Sequence, residues 1–557
     1  MKKNSIIFFC LAILIFFYTR GLFNTYFQQD EWNGFGLVIS LSHQPWWSWF
    51  GILGFYHVIP LSQFFWYILY RVFGYQAFYF ALTAYLLHVV ASFLVYQVSK
   101  RLSKNELVGI LTAVLFATNG RASDAFTHLA VFPATVTCFI AMMAFILYLT
   151  KFTKENVITL KDTIVLLLIF LTAILLREDG FMLIPLLLCF FFVYNRKIFS
   201  KKNILFFVSF FALVVITFGM RIFIALHEPS TLVTTDDPHH IYLYNLVTFP
   251  FKLIVQSLVE IYYVLDYVVS HITLFYSSSS AIIPPPIINT VGTDFIILVL
   301  FNFIVVLFVF LTYKMKDTLL WKNISFGLLW ILINAGLLAG VGRYMFVIEQ
   351  RYLYHASFVT SFIISLIFVA VWQRKNGHWV LQLLRRLLMI GIVIFLLMTS
   401  YQELHAKMQI WQQWGQARQS IVKSLITLYP TIPHNTIFFV QCQGTCHRNS
   451  EFGLPNTVVL PFSSGPGWIF MLQYARQNED AYAPFFATVN GKQFLWDYGT
   501  QGYEKKGDYG FGYFIDKKLL TETLKKNKLN KNIVIGLEYD ESNFTFHDIS
   551  KEVKREL

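Results

Sequence analysis

The sequence predicts a polytopic α-helical membrane protein of about eleven transmembrane helices, followed by a C-terminal extracytoplasmic α/β or α+β domain. Three observations lead there. Of 557 residues, 56% are hydrophobic and only 13% are charged, whereas soluble chains carry about 45–50% apolar and about 25% charged residues. The mean hydropathy is +0.56. Apolar runs also recur at roughly the 17–25 residues needed to cross a hydrocarbon core of about 30 Å.

The runs fall at 5–22, 76–98, 106–120, 129–150, 161–176, 180–195, 203–226, 295–313, 323–341, 352–372 and 381–400. Those at 106–120, 161–176 and 180–195 are short for a span. Residues 1–22 open with two lysines and an apolar stretch, as a signal peptide would. Tyr18-Thr19-Arg20-Gly21 offers no small-residue cleavage site, so the segment is read as the first membrane helix. Residues 23–75 form a loop rich in Trp and Phe, rings that settle at the membrane interface. Within it Pro60 to Phe73 reads as a helix lying along the surface. The loop over 227–294 is long enough to be read as a lid. Its segment 241–270 is expected on the interface, and Ser277–Ser280 with Pro284–Pro286 reads as irregular chain.

After residue 400 the hydropathy falls. Trp411–Leu428 reads as a helix closed by Pro430 and Pro433. Thr436–Gln441, Thr457–Pro461 and Asn532–Glu538 read as short buried strands. The expected division is therefore a membrane domain over 1–400 and a soluble domain over 401–557.

The net charge of +13 invites a nucleic-acid reading. The basic residues instead alternate between loops: Lys2 and Lys3, then Lys100, Arg101 and Lys104, then Lys151 and Lys154, then Arg196 to Lys202, then Lys314 to Lys322, then Arg374 to Arg386. Loops rich in Lys and Arg stay in the cytoplasm. The N-terminus is thus expected inside a plasma-membrane protein and, with an odd helix count, the tail outside. The charge then orients the chain and requires no nucleic acid.

The acids segregate the other way, with Asp30, Glu31, Asp124, Glu178, Asp179 and Glu349 on the outer loops. Acids contribute little to orientation, so their excess points to a polar site on the outer face. Cys10, Cys138 and Cys189 lie in apolar runs and read as small hydrophobes. Cys442 and Cys446 are four apart, which leaves open a disulfide or two thiols. No His/Cys set at zinc spacing accompanies them, and no residue is assigned to a metal.

Asp30 and Glu31 stand a few residues past the first helix. On an extended segment neighbours point apart, so the two are not a facing glycosidase pair. A carboxylate beside a dry interface gains proton affinity and suits a general base; a solvated helix-end acid is the plain alternative. Arg343 and Arg351 carry a charge and fork that match a phosphate, with anionic lipid or Glu349 as the plain partner. Arg177 and Glu178 read as partners of each other.

Four motifs now stand in order. They are the acidic pair, then His57-Val58-Ile59-Pro60-Leu61 with a helix ending Phe73-Gly74, then Arg177-Glu178-Asp179-Gly180, then Glu349-Gln350-Arg351-Tyr352-Leu353-Tyr354. Each alone is weak. Their order and shared placement over about residues 1–400 resemble the GT-C superfamily of integral-membrane glycosyltransferases, most closely the protein O-mannosyltransferase and TMTC-type branch.

The resemblance implies a polyprenyl-phosphate sugar donor, transfer on the extracytoplasmic side and inversion at the anomeric carbon. It makes Asp30 the base with Glu31 assisting. Arg351 and Arg343 would hold the lipid phosphate, with His57, Asp124, Glu178 and Tyr352 lining the pocket. Some members use a divalent cation and others none, and the acid pair does not decide between them. The chain lacks the repeats that follow the membrane domain in the protein-modifying members, which leaves the acceptor open among glycan, lipid and protein. Two other classes compete: a transporter or flippase of a lipid-linked or anionic solute, and a non-catalytic scaffold. Transporters show midplane charges and inverted repeats, and neither is visible here.

Overall fold

The computed structural model describes residues 2–28, 30–50, 59–227, 238–259, 291–341, 347–374, 378–442, 465–487, 493–496, 500–540 and 542–557. His57, Arg343, most of the expected lid and the strand expected at 457–461 lie outside the described residues.

All eleven apolar runs are helical. In chain order the first seven long helices are α1 (Lys2–Thr19), α2 (Asp30–Ser42), α3 (Pro60–Phe73), α4 (Ala77–Ser103), α5 (Glu106–Ala117), α6 (Phe132–Leu149) and α7 (Leu160–Leu176). There follow α8 (Leu183–Tyr194), α9 (Ile204–His227), α10 (Pro238–Gln256), α11 (Val291–Thr312), α12 (Thr318–Leu338), α13 (Leu353–Gln373) and α14 (Trp379–Leu428). Among the described residues, 8 helices are long and apolar enough to cross a membrane. The expected count of eleven spans therefore does not follow from length. α5 has 12 residues and rises only about 18 Å, short of a core about 30 Å thick.

Local chemistry fixes several boundaries. The Thr159 side chain and Asp162 close a capping box at the start of α7, Asn105 caps α5 and Asp317 caps α12. Such caps satisfy amides that a helix start leaves orphaned. α13 lies at the centre, with Tyr354, Phe358 and Phe362 almost fully buried and Phe116, Phe139 and Tyr354 in ring contact. α9 and α11 sit at the rim and present Phe211, Phe223, Phe303 and Val306 outward. An apolar surface of that kind, on helices long and apolar enough to span, matches a lipid environment. The protein is a polytopic helical membrane protein.

The basic loops gather at one end of the helices. There Lys3 pairs with Glu106 at 2.7 Å and Lys151 with Asp162 at 2.9 Å, and the Asn195 amide bridges the carbonyls of Phe152 and Glu155. Asp30, Asp124, Arg177 and Arg351 lie at the other end, with the C-terminal domain. Of the segment expected on the interface, the described part of α10 turns Asn245 and Lys252 into the bundle and leaves Leu243 and Val247 outward. Lys252 can be buried there because Asp294 of α11 stands 2.9 Å away and Tyr244 offers both its hydroxyl, at 3.1 Å, and its ring; a paired charge escapes most of the desolvation cost.

The C-terminal domain begins inside a helix. α14 runs unbroken for 50 residues, about 75 Å at 1.5 Å per residue, through the boundary expected at 400. Its polar continuation (Gln402, Glu403, Ala406, Lys407, Met408) consists of good helix formers, and no proline intervenes before Pro430. Beyond it lies a five-stranded sheet in the order β2-β3-β1-β4-β5. β1 (Asn435–Cys442) pairs in parallel with β3 (Tyr509–Phe514) and β4 (Val534–Asp540). β2 (Gly502–Lys506) and β5 (Thr545–Asp548) close the edges antiparallel. α15 (Pro466–Ala475) is buried on nearly every side. It packs Phe470 and Tyr474 on Phe438 of β1 and Trp468 on α2. α16 (Lys517–Lys526) is amphipathic, with Leu520 and Leu524 buried and its lysines solvated.

Candidate active site

α2 begins at Asp30, so the acidic pair opens a helix rather than lying on extended chain. Acids are favoured at a helix start by its partial positive charge. The two carboxylates then part company. Glu31 is fully buried. Its Oε2 accepts from the Gln28 amide at 3.0 Å and its Oε1 from the Ala130 amide at 3.2 Å, with His128 Nε2 at 3.6 Å. Glu31 thus fastens the helix start to the loop before α6. Asp30 is exposed and makes no hydrogen bond or ion pair with the described residues. Although the residue reaches solvent, the protein crowded around its carboxyl desolvates it and raises its pKa; the charge of Glu31 adds to this, while His128 and Arg351 pull the other way.

Asp124 opens a one-turn helix, Asp124–Thr127, and pairs with Lys407 of α14. Lys407 also donates to Ser123 Oγ at 3.0 Å and to Gln350 Oε1 at 2.8 Å, and stands over the Trp411 ring at 5.2 Å. The Gln350 amide in turn donates to Glu403 Oε1 at 2.9 Å. Burial alone would raise the Asp124 pKa, but Lys407, His128 and Arg351 outweigh it and hold the carboxyl below its usual range. Two carboxyls that both face His128 and Arg351 are thus driven in opposite directions, the pattern that separates acid-base roles.

Arg351 lies in the turn Gln350–Tyr352 that leads into α13. It pairs with Glu349 at 2.5 Å and stacks over the Tyr352 ring at 5.2 Å. The Arg177 guanidinium stands 5.8 Å from the same ring, so Tyr352 is shared by two arginines from motifs far apart in sequence. The pairing expected between Arg177 and Glu178 is not formed. Arg177 Nε binds Asp179 at 3.2 Å, and Glu178 binds Arg221 of α9 at 2.9 Å. The tight turn Glu178–Met182 separates successive side chains, so one acid turns to the arginine and its neighbour to α9. Asp179 also lies 3.4 Å from His355 Nε2, which joins this turn to α13.

Asp30, Asp124 and Arg351 therefore come together, with Glu31 behind them. Glu178 and Tyr352 belong to the adjoining Arg177–Asp179–His355 layer. Reasoning from sequence missed His128, Lys407 and Gln350 as members of this group. Gln350 lay inside a motif, and His128 stands four residues past Asp124. Lys407 carried no signal, because it sits past the expected domain boundary.

A divalent cation fits this group poorly. Glu31 is occupied by backbone amides and Asp124 by Lys407, which leaves Asp30 as the one carboxylate without a described partner. Protein-held divalent sites need several oxygen ligands, and no reaction step here is routed through a metal.

No family model matches the chain, and no curated protein matches it. Among solved structures it is similar to the archaeal oligosaccharyltransferase AglB from Archaeoglobus fulgidus in complex with an inhibitory peptide and a dolichol-phosphate, at 13% identity and a TM-score of 0.38, over 78% of this chain and 62% of that one. The apo form of an oligosaccharyltransferase from the same organism gives 13% identity and a TM-score of 0.42, over 78% and 62%. The chain thus spans less than two thirds of these oligosaccharyltransferases. ArnT from Cupriavidus metallidurans in the apo state gives 14% identity and a TM-score of 0.39, over 97% of this chain and 93% of that one. None of the three is named as a protein O-mannosyltransferase, and at this distance the chemistry has to be read from the residues themselves.

Proposed function

We propose that the protein is a GT-C-type glycosyltransferase that moves a sugar from a polyprenyl-phosphate donor to an acceptor hydroxyl on the extracytoplasmic side of the membrane. The observation that carries this reading is Asp30: an exposed carboxylate with raised proton affinity and no described partner, at the start of a helix and within the field of Arg351. A raised pKa brings a carboxylate closer to the range in which it accepts a proton well near neutral pH. In this reading Asp30 takes the proton of the acceptor hydroxyl as that oxygen attacks the anomeric carbon from the face opposite the phosphate. The bond from the anomeric carbon to the phosphate oxygen breaks, and its electron pair leaves with the lipid phosphate. Arg351 stabilises the growing negative charge, with Arg177 behind the shared Tyr352 ring; donors placed where charge develops act most strongly in a water-poor site.

The test is transfer in proteoliposomes from a panel of polyprenyl-phosphate sugars into membrane extract, comparing wild type with Asp30→Asn. Transfer by the wild type and its loss in Asp30→Asn, with unchanged thermal unfolding, is the expected result. Transfer at wild-type rate in Asp30→Asn would refute the reading.

A further inference from the structure

A second polar site lies at the far end of α2. From Asp30 to Ser42 the helix rises about 18 Å, and beyond Ser42 a cleft opens between the first loop and the C-terminal domain. Its volume is about 490 Å³, and it is lined by Ser42, His43, Tyr67 and Arg71 on one side and by Asn478 and Asp480 on the other. That volume falls within the span of about 300–1,000 Å³ typical of small-molecule sites.

The ionisable groups of the cleft are engaged with one another. His43 Nε2 lies 2.8 Å from Asp480 Oδ1 and Arg71 Nη1 lies 2.9 Å from Glu479 Oε2. Glu479 also accepts from the Tyr70 hydroxyl at 2.9 Å. Such a lining gives little advantage to an anion or a cation; it suits a neutral ligand that both donates and accepts hydrogen bonds. Tyr67 supplies a ring, held against Trp49 at 5.5 Å, and its hydroxyl has no hydrogen-bond partner among the described residues. An aromatic ring beside hydroxyls, an amide and carboxylates is a combination that suits a polyol.

We infer that this cleft is an acceptor subsite for a neutral oligosaccharide several sugar units long, whose other end reaches Asp30. The inference rests on the glycosyltransferase reading for its reaction, but not for its binding. It makes the acceptor a glycan chain rather than a single small molecule. It also gives the C-terminal domain a share in recognition, since half of the cleft wall belongs to that domain.

Binding is tested apart from transfer. Purified full-length protein is titrated by saturation-transfer NMR with linear tetrasaccharides of glucose, mannose and N-acetylglucosamine, and with the matching monosaccharides. At least one tetrasaccharide is expected to bind, and its monosaccharide to bind about tenfold weaker or less. Tyr67→Phe removes one hydroxyl without disturbing the fold and is expected to weaken binding about fivefold, the worth of one hydrogen bond. Asp30→Asn is expected to retain binding. The inference is overturned if no tetrasaccharide binds, if monosaccharides bind as tightly, or if both Tyr67→Phe and Asn478→Ala bind as the wild type does. Binding without transfer from any lipid-phosphate sugar overturns the glycosyltransferase reading alone. Transfer that ignores the cleft variants overturns this inference alone.

Discussion

Gly36→Ala tests whether the C-terminal domain holds the helix that carries Asp30. The Trp468 indole donates from Nε1 to the Trp32 carbonyl at 3.0 Å, and the same edge of its ring meets α2 where Gly36 leaves room. A Cβ on residue 36 would fall 2.2 Å from Trp468 Cζ2 and 3.0 Å from Phe486 Cδ1, well inside van der Waals contact. Trp468 is fully buried and wedged by Phe486 at 4.9 Å and Trp496 at 5.5 Å, so the ring cannot simply turn away. Overpacking of this kind costs about 1–3 kcal/mol. Trp468→Phe removes the clashing atom together with the indole donor. The Trp32 carbonyl keeps its helical partner, so the hydrogen-bond part of the loss is about 1 kcal/mol, with a further cost from the space left behind. The two changes should not add: the double variant is expected to be at least about 1 kcal/mol more stable than the sum of the singles, as for residues in contact. Thermal unfolding in detergent measures the cycle, and transfer rate reports whether α2 has shifted. Additive losses, or a Gly36→Ala protein as stable as wild type, would refute the claim that the two domains meet in a fixed, close-packed joint.

Other expectations follow from the same geometry. Glu31→Ala strands the Gln28 and Ala130 amides and should destabilise the protein by about 1–3 kcal/mol per amide, whereas Asp30→Asn should leave unfolding unchanged; equal effects in a melting experiment would erase the distinction drawn between the two acids. Arg351→Lys keeps the charge but loses the fork, and should raise the KM for donor about tenfold with a smaller change in kcat. Because the pKa of Asp30 is raised, the transfer rate should fall on the acid side at a higher pH than the roughly 3.9 of an unperturbed aspartate, and a limb below that value would contradict it. The depressed pKa of Asp124 contributes stability that is present above its unfolded pKa and lost as pH falls through the folded one. Lys407→Met should therefore lower stability by about 1–3 kcal/mol at pH 7 and by much less near pH 3, when unfolding is followed at both.

What the sequence revealed depended on how far apart the interacting residues lay. The apolar runs are local, and each became a helix. β1 and β4 were legible because Thr436–Gln441 and Asn532–Glu538 are compact buried runs. The membrane domain could not be closed off at residue 400, because a fall in hydropathy marks the edge of lipid and not the end of a helix. The chain passes from Thr399 to Lys407 without a helix breaker, and so Lys407 reaches Asp124, 283 positions earlier. The division of labour between Asp30 and Glu31 was equally hidden. It depends on the Ala130 amide, 99 residues away, which takes one carboxylate and spares the other. Arg177 and Glu178 show the same limit at short range: adjacency in sequence suggested a pair, and the turn sent them to different partners.

α14 makes the end of the protein that carries the C-terminal sheet answerable to the bilayer. A continuous helix about 75 Å long, apolar over its first half, couples its two ends mechanically. A change in tilt of about 10° would carry its tip sideways by about 13 Å if nothing resisted it. The sheet at the tip is also stapled to α2, so any such swing is converted into strain between Lys407, midway along the rod, and the loops it touches. Membrane thickness, which sets the tilt of long apolar helices, thereby becomes a variable that acts on Asp124 and Gln350 from a distance.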